Sequence, residues 1–383
     1  MKHKKTKNKS SKKILKGGNP ITAQIFNLIN NNNSNRTSIY NFSLREKFVA
    51  NLKFKDCFEF QKKLGQGGFG IVYLVKLKKE IQALSVGQQV SLKVLMSKNY
   101  ESETNDSLDQ NKIDKKLLDE IRIGYQLNHP CIVKTHFFFT SDMVELCPRG
   151  FGIVMEYFES ENLTHFLLLN SVLLNENEKA VLMAQMLLGL EYMHRQGIMN
   201  RDVKPDNILV NNRLELKFCD FGLSEKKNIN NIVVGTSYYK HSNVNKKNVE
   251  YDRRIDVWSL GCTIYYLLST NNINIFILST LTKKDYHTLI NELNTSQQIK
   301  DMLHLMLTDD PTLSTPYYKE KTRAKSIYNV EYNERTIESL IMLRQPWMVY
   351  LIDKVKLAER KGFCALLLNL TVNNVFTPVG SPV

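Results

Sequence analysis

The chain predicts an α+β fold in two parts, a small antiparallel sheet followed by a mainly helical region. Three observations predict it. Short β-branched and aromatic runs separated by turn formers occupy residues 58–64, 70–76, 90–95, 132–139 and 152–157, the composition of five strands. Between the third and fourth runs, residues 112–127 place Ile113, Leu117, Ile121 and Gly124 near one helical face. After Tyr157 the period lengthens: residues 176–196 carry Val181, Met183, Met186, Leu187, Leu190 and Met193 at helical spacing, and residues 255–268 are apolar enough for a buried helix.

Composition limits what these elements belong to. With 383 residues, 43% hydrophobic and 10% aromatic, the chain is long enough to bury one large core or two. Apolar runs such as 275–278 and 363–368 fall well short of the roughly 18 to 20 residues of a membrane span. The N-terminus lacks the apolar stretch of a secretory signal, and Lys2 stands where myristoylation needs Gly, so an intracellular protein, cytoplasmic or nuclear and not secreted, is expected. Cysteines 57, 131, 147, 219, 262 and 364 show no Cys-x-x-Cys spacing and read as reduced, mostly buried thiols.

The net charge of +14 is concentrated in a tail, because residues 1–19 hold eight lysines and no acid. A solvated arm is the plain reading; an import receptor, a nucleic acid or an anionic lipid are the sharper ones, and sequence leaves them open. Residues 1–54, Lys-rich and then Asn-rich, are expected to lack order. Three polar stretches, 97–114, 142–149 and 310–333, read as surface insertions, since the cost of closing a loop grows slowly with its length.

Chemistry is written most clearly on two short loops. Asn200-Arg201-Asp202-Val203-Lys204-Pro205-Asp206-Asn207 precedes a hairpin pattern that ends in Cys219-Asp220-Phe221-Gly222. One Asp can receive a hydroxyl proton, an Asn and a second Asp can hold Mg²⁺, and Lys204 can sit beside charge developing on a transferred phosphate. Either loop alone reads as a turn after a strand; the two together do not. Leu64-Gly65-Gln66-Gly67-Gly68-Phe69-Gly70-Ile71-Val72 lies at a predicted strand-turn-strand, where glycines let backbone N–H groups approach phosphate oxygens. It can equally be only a hairpin. No helix follows Gly70, which argues against a dinucleotide-binding turn, and no Gly-Lys-Ser/Thr follows, which argues against a Walker loop. Lys93 lies on the third predicted strand, where a lysine normally faces solvent; Glu120 on the following helix is a candidate partner.

In this order and approximate spacing the motifs resemble the eukaryotic-type serine/threonine protein kinase family over about residues 55–349. The resemblance rests on the Gly-rich hairpin, Val90-Ser91-Leu92-Lys93, Glu120 before Leu127-Asn128-His129-Pro130, the two loops above, and Asp256-Val257-Trp258-Ser259-Leu260-Gly261. It implies a bilobal fold with a small lobe over 55–157, a large lobe over 158–349 and a C-terminal extension over 350–383. It implies ATP and Mg²⁺ as cofactors and protein Ser/Thr hydroxyls as acceptors. Lys93 would pair with Glu120, Asp202 would accept the hydroxyl proton, and Asn207 and Asp220 would hold Mg²⁺. The nucleotide would lie under residues 64–72, with adenine between Val72 and Ser91 on one side and Leu209 on the other. Backbone at Glu156 to Phe158 would bond the adenine, Met155 would form the back wall, and Asp256 would brace the catalytic loop. Lys204 and Thr236 point to the serine/threonine-specific branch.

Departures from the pattern are specific. Asn200 replaces the family's usual His, Gly124 and Thr135 are small at two inner positions that usually stack with it and with Phe221, and Asn243 cannot supply the Glu that normally pairs with a late Arg, here Arg335. A thin stack is expected to hold the active arrangement less firmly, and a pseudokinase or ATP-binding scaffold is the alternative these changes raise. Arg201 grips an activation-loop phosphate in many relatives, yet residues 225–235 contain no Ser, Thr or Tyr. The unphosphorylated protein is therefore expected to be active. Thr377-Pro378 and Ser381-Pro382 read as a frayed tail before they read as phosphosites.

Overall fold

The computed structural model describes residues 46–67, 70–94, 115–170, 174–226, 235–236, 239, 253–269 and 283–307. The Lys-rich arm, the stretches 97–114 and 310–333, Gly68, Phe69, Asn243, Arg335 and the C-terminal extension lie outside the described residues. The chain divides into two compact units, one formed by Met1–Gln126 and Lys134–Tyr157 and the other by Leu127–Val133 and Phe158–Val383.

The first unit is built on a sheet of six strands: β1 (Phe48–Leu52), β2 (Phe58–Gly67), β3 (Gly70–Leu77), β4 (Gln89–Val94), β5 (Thr135–Ser141) and β6 (Phe151–Glu156), in the order β1-β5-β6-β4-β3-β2. Five correspond to the predicted strands. The sixth, β1, comes from the stretch expected to lack order, and it pairs parallel to β5 at the sheet edge. Aromatic burial explains it: Phe48 stacks on Phe138 with ring centroids 5.1 Å apart, and Phe54 in the one-turn helix α1 (Phe54–Cys57) packs on Phe58 and Phe139. Each such ring, removed from water, contributes roughly 1.5–3 kcal/mol. Thr140 Oγ1 and Asp142 Oδ1 accept the N–H groups of Asn51 and Phe54, so the segment is also tied by its backbone.

The core beneath the sheet comprises Leu77, Val90, Leu92, Phe137, Phe139 and Val154, all essentially inaccessible. The helix α2 (Lys115–Gln126) carries buried Ile121 and Ile123. The turn at 142–149, expected as a polar surface insertion, exposes Asp142, Met143 and Glu145 but tucks Cys147 against this core, with its backbone paired to Val144. The fourth predicted strand starts at Thr135 and not at 132. Its first residues belong to the second unit, where Val133 N–H donates to the Phe218 carbonyl and Phe218 N–H donates to the Cys131 carbonyl.

The second unit contains a small sheet, β7 (Glu161–Asn162), β8 (Ile208–Val210) and β9 (Leu216–Phe218), and the helices α3 (Leu163–Asn170), α4 (Glu176–Arg195), α5 (Arg254–Leu268), α6 (Lys283–Glu292) and α7 (Gln297–Met306). Asn175 and Glu178 form a reciprocal capping box that starts α4. From Ala180 to Leu190 every α4 residue is buried, which requires largely apolar neighbours on all sides. The closest approach is at Gly189, where an added Cβ would meet Phe218 at 2.7 Å. Helix α5 is equally enclosed, and Gly261 admits Leu307. No helix among the described residues is long and apolar enough to cross a membrane.

Candidate active site

In the first unit, β2 and β3 pair from Phe58↔Leu77 to Gly67↔Gly70, so the Gly-rich segment is the tip of a hairpin. A Cβ placed on Gly65 or Gly67 would meet nothing within 4 Å, so packing does not demand these glycines. A cradle kept open by missing side chains is what a phosphate approached by backbone N–H groups requires. Leu64 is 39% exposed, Gln66 accepts a hydrogen bond from Lys63 Nζ at 2.6 Å, Val72 is half-buried, and Ile71 is buried. Ser91 and Lys93 are buried on β4, with Ser91 opposite Met155 of β6.

Lys93 Nζ donates to Glu120 Oε1 of α2 at 2.5 Å, with both side chains about nine-tenths buried. A strand lysine that elsewhere would reach solvent is thus held in place by a carboxylate, and the pairing offsets its desolvation. On the same helix, Gly124 faces Thr135 so closely that a Cβ there would lie 2.8 Å from Thr135 Oγ1. The two small residues fill each other's space, so the thin stack expected at these positions leaves no void between them. At the end of β6, Glu156 N–H donates to the Lys134 carbonyl, and its carboxylate accepts from Lys134 N–H.

In the second unit, both oxygens of the Asp202 carboxylate are engaged. Oδ1 accepts from Thr236 N–H at 3.0 Å and from the Thr236 hydroxyl at 2.8 Å; Oδ2 accepts from Asn207 Nδ2 at 2.8 Å and lies 2.9 Å from Lys204 Nζ. Lys204 Nζ also donates to Thr236 Oγ1 at 2.6 Å. The Thr236 hydroxyl therefore accepts a hydrogen bond from an ammonium and donates one to a carboxylate, the arrangement in which a carboxylate can act as base toward an alcohol. A 3₁₀ turn at Pro205–Asn207 carries Asn207 into place, where its amide nitrogen also donates to the Asp202 carbonyl. Leu209 lies half-buried on β8.

Asp220 follows β9 with φ +58°, a left-handed conformation, and its exposed carboxylate accepts a long bond, 3.3 Å, from Gly222 N–H. Asn207 bonds Asp202 through its nitrogen, so its amide oxygen is the atom that would meet a cation. One carboxylate and one carbonyl oxygen fit Mg²⁺, which keeps most of its waters and takes few protein ligands when it is bound with phosphates. Among the described residues there is no cluster of three or more His, Cys, Asp or Glu that would suit an all-protein metal cage.

The loop bearing Asp202 is braced from α5. Asp256 is wholly buried; its Oδ2 accepts from Asn200 N–H at 2.8 Å and lies 2.9 Å from His194 Nε2, and its Oδ1 accepts from Arg201 N–H at 2.7 Å. Because an ionised carboxylate only accepts, the imidazole proton belongs on Nε2. Asn200, which stands where the family usually has His, accepts from Asp202 N–H through Oδ1 at 3.0 Å. An asparagine can close this two-residue turn because its side chain is as short as the turn is tight. Sequence reasoning did not single out His194 or the role of Glu225, which lies 2.8 Å from Arg201. A histidine near the end of a helix buried over 180–190 was the available signal for the first; Glu225 had none in its spacing.

Comparison with known proteins agrees with this geometry. The family model described as protein kinase domain matches residues 58–335. The chain is 33% identical over 223 residues to Serine/threonine-protein kinase cds1 of Schizosaccharomyces pombe, covering 56% of this chain and 45% of that protein. It is 29% identical over 263 residues to Developmentally-regulated protein kinase 1 of Dictyostelium discoideum, covering 67% and 34%. It is 32% identical over 216 residues to Ovarian-specific serine/threonine-protein kinase Lok of Drosophila melanogaster, covering 54% and 42%. The chain thus spans less than half the length of these relatives.

Proposed function

The chain belongs to the protein kinase family, and on that premise we propose that it transfers the γ-phosphoryl group of ATP to Ser or Thr hydroxyls of proteins, with Mg²⁺. The observation that carries this reading is the Asp202 carboxylate, which is held by Asn207, Lys204 and Thr236 with an alcohol already bonded to Oδ1. An acceptor hydroxyl taking that place would pass its proton to Asp202 as its oxygen attacks phosphorus. Lys204 would offset the charge on the transferred group. Asn207 and Asp220 would hold Mg²⁺, which neutralises phosphate charge when bound.

The residues of the first unit divide the nucleotide among them. Gly65 and Gly67 would bring backbone N–H groups to the phosphates, and Lys93, aimed by Glu120, would bond the α- and β-phosphates. The N–H of Glu156 is engaged by Lys134, so an adenine amino group would address the Glu156 carbonyl. The small side chain of Ser91 and that of Val72 suit a flat ring, and the branch of acceptors is that of the serine/threonine relatives named above.

The test is transfer from labelled ATP to a generic basic protein, with Asp202→Asn alongside. A neutral amide cannot take the proton, so a fall in kcat of roughly 10²–10⁴-fold is expected, with nucleotide binding retained. Equal transfer by both proteins would defeat the reading. Nucleotide binding with no transfer by either would favour the scaffold alternative.

A further inference from the structure

The match to the protein kinase family starts at residue 58, yet residues 46–57 are folded into the first unit and tied to it along their length. The carbonyls of Glu46 and Lys47 accept from Gln82 Nε2 and Phe138 N–H. Those of Lys55 and Cys57 accept from Lys78 Nζ and Lys78 N–H, and the N–H groups of Asn51 and Phe54 go to Thr140 and Asp142. Backbone groups taken up at so many points, by β5 and by the turns that follow β3 and β5, make the segment a working part of the unit and not a passing linker.

Its register explains what it grips. Cross-strand partners share a face of a sheet, and Lys93 pairs with Ile153, Ile153 with Phe138, and Phe138 with Phe48. Phe48, buried and stacked on Phe138, is therefore the outer end of a row that crosses four strands to Lys93. Beyond Val49 the register shifts: from Phe48 to Leu52 β1 advances four residues, while β5 advances three, from Phe138 to Ser141. An extra residue turns the side chains that follow to the other face. Leu52 accordingly joins the core on the side of Leu92, opposite Lys93, and α1 follows it there with Phe54 and Cys57. At the crossing stands Asn51, left-handed at φ +55°, a conformation that Asn tolerates and β-branched side chains resist. The segment thus holds the sheet edge from both faces.

The segment also reaches α2. Lys47 Nζ lies over the Tyr125 ring, 5.9 Å from its centroid, near the C-terminal end of the helix that carries Glu120. Both partners of the buried ion pair are therefore linked to it, Lys93 through the row across the sheet and Glu120 through its own helix. We propose that residues 46–57 are a clasp that positions the Lys93–Glu120 pair for the phosphates of the nucleotide. Phe48 and Lys47 are its positioning residues, and the bulge at Asn51 lets it grip both faces. The proposal rests on the kinase reading above, and it deepens that reading by naming what fixes the nucleotide-binding lysine from outside the residues the family shares. Neither Phe48 nor Lys47 touches nucleotide in this role.

The experiment uses the full chain and measures the Kd for ATP with Mg²⁺ by direct binding, and amide exchange across 115–126 without nucleotide. Phe48→Ala and Asn51→Val should each weaken ATP binding by roughly two- to thirty-fold, the range over which residues remote from a ligand modulate its site. Both should speed exchange in α2 and leave exchange in α4 as in wild type, which separates a loosened clasp from general unfolding. Lys47→Leu, at a half-buried position that the fold does not depend on, should weaken ATP binding by roughly two- to five-fold, and Lys47→Arg should restore it. Asn51→Gly, which also accepts the left-handed backbone, should stay within about two-fold of wild type. A merely structural role would not couple to Lys93. In Lys93→Met, Phe48→Ala should change ATP affinity by less than about two-fold, because the group it positions is gone. Equal loss with and without Lys93 overturns the proposal, and so does α2 exchange that is unchanged in both Phe48→Ala and Lys47→Leu. Asn51→Gly as weak as Asn51→Val overturns the role given to the bulge. A wild type that binds no ATP refutes the kinase reading separately, and the exchange comparison, made without nucleotide, still decides whether the segment holds α2.

Discussion

Replacing Asp256 by Asn keeps the size of the side chain and removes its charge, which isolates what that buried carboxylate does. Its two oxygens serve three donors: His194 Nε2, Asn200 N–H and Arg201 N–H. An asparagine has one acceptor oxygen. Placed at the Oδ2 position, that oxygen keeps His194 and Asn200 but turns an NH₂ group toward Arg201 N–H, leaving a buried donor facing a donor. Placed at Oδ1, it loses two partners. The first arrangement is the cheaper. An unsatisfied buried donor costs about 1–3 kcal/mol, and the two remaining bonds each weaken by several tenths of a kcal/mol or more as a charged acceptor becomes a neutral one. A local destabilisation of about 3 kcal/mol follows, equivalent to roughly a hundred-fold rise in the open population of the loop. Because Asp202 is the residue after Arg201, kcat should also fall by roughly a hundred-fold. Amide exchange at residues 200 and 201, with kcat and the KM for ATP measured on the same preparations, gives both numbers. If the two amides exchange as in wild type and kcat stays within about two-fold, Asp256 does not brace the loop.

Three further outcomes are expected. Burial pushes His129 from 6.5 down to about 4, and its Nδ1 accepts from Cys131 N–H, which requires the neutral ring. Above pH 6.5 neither folded nor unfolded chain binds this proton. Between pH 6.5 and 4 only the unfolded chain does, so stability drops as the pH is lowered, by a total of about 3 kcal/mol; urea midpoints measured across this range should fall less steeply in His129→Asn, and an equal slope would count against the assignment. Gly189→Ala forces a Cβ to 2.7 Å from the Phe218 ring and should cost about 1–3 kcal/mol, visible as a lower melting temperature, whereas no change would show that α4 and β9 can separate freely. Burial pushes Cys131 and Cys262 up to about 12 and Cys147 up to about 11. In the folded protein at about pH 8 an alkylating reagent read by peptide mass spectrometry should therefore spare these three and mark half-buried Cys219 before them.

Much of this molecule is readable before it folds, because local chemistry and period reach the sequence directly. The strands at 58–64, 70–76, 90–95 and 152–157 appear within a few residues of their predicted bounds, and α4 and α5 begin within one residue of theirs. Each is set by alternation or helical spacing and punctuated by its own turn formers. The segment 46–57 escaped the same reasoning. Its strand holds Phe48 and Leu52 among less apolar neighbours, and its order comes from Phe138, Thr140 and Asp142, with 89 and 88 residues separating the two hydrogen-bonded pairs. Cys147 reads as a buried thiol from sequence, but nothing near it says that the turn carrying it folds inward.

The division runs through the candidate site as well. Sequence by itself marked the side chains proposed to do the chemistry, since Asp202, Lys204, Asn207 and Asp220 come on two short loops whose residue types and spacing have few other uses. Only the tertiary structure decided how those side chains are held. Lys93 meets Glu120 across 27 residues, Asp256 reaches Arg201 across 55, and Thr236 caps Asp202 from 34 positions further on. Arg201 finds its anion in Glu225, which has no periodicity or motif to announce it. The physical reason is common to all of these pairs. A carboxylate or an amide advertises its chemistry in its own structure, but whether it is buried, and which donor or charge it meets there, depends on contacts made only when distant segments pack together.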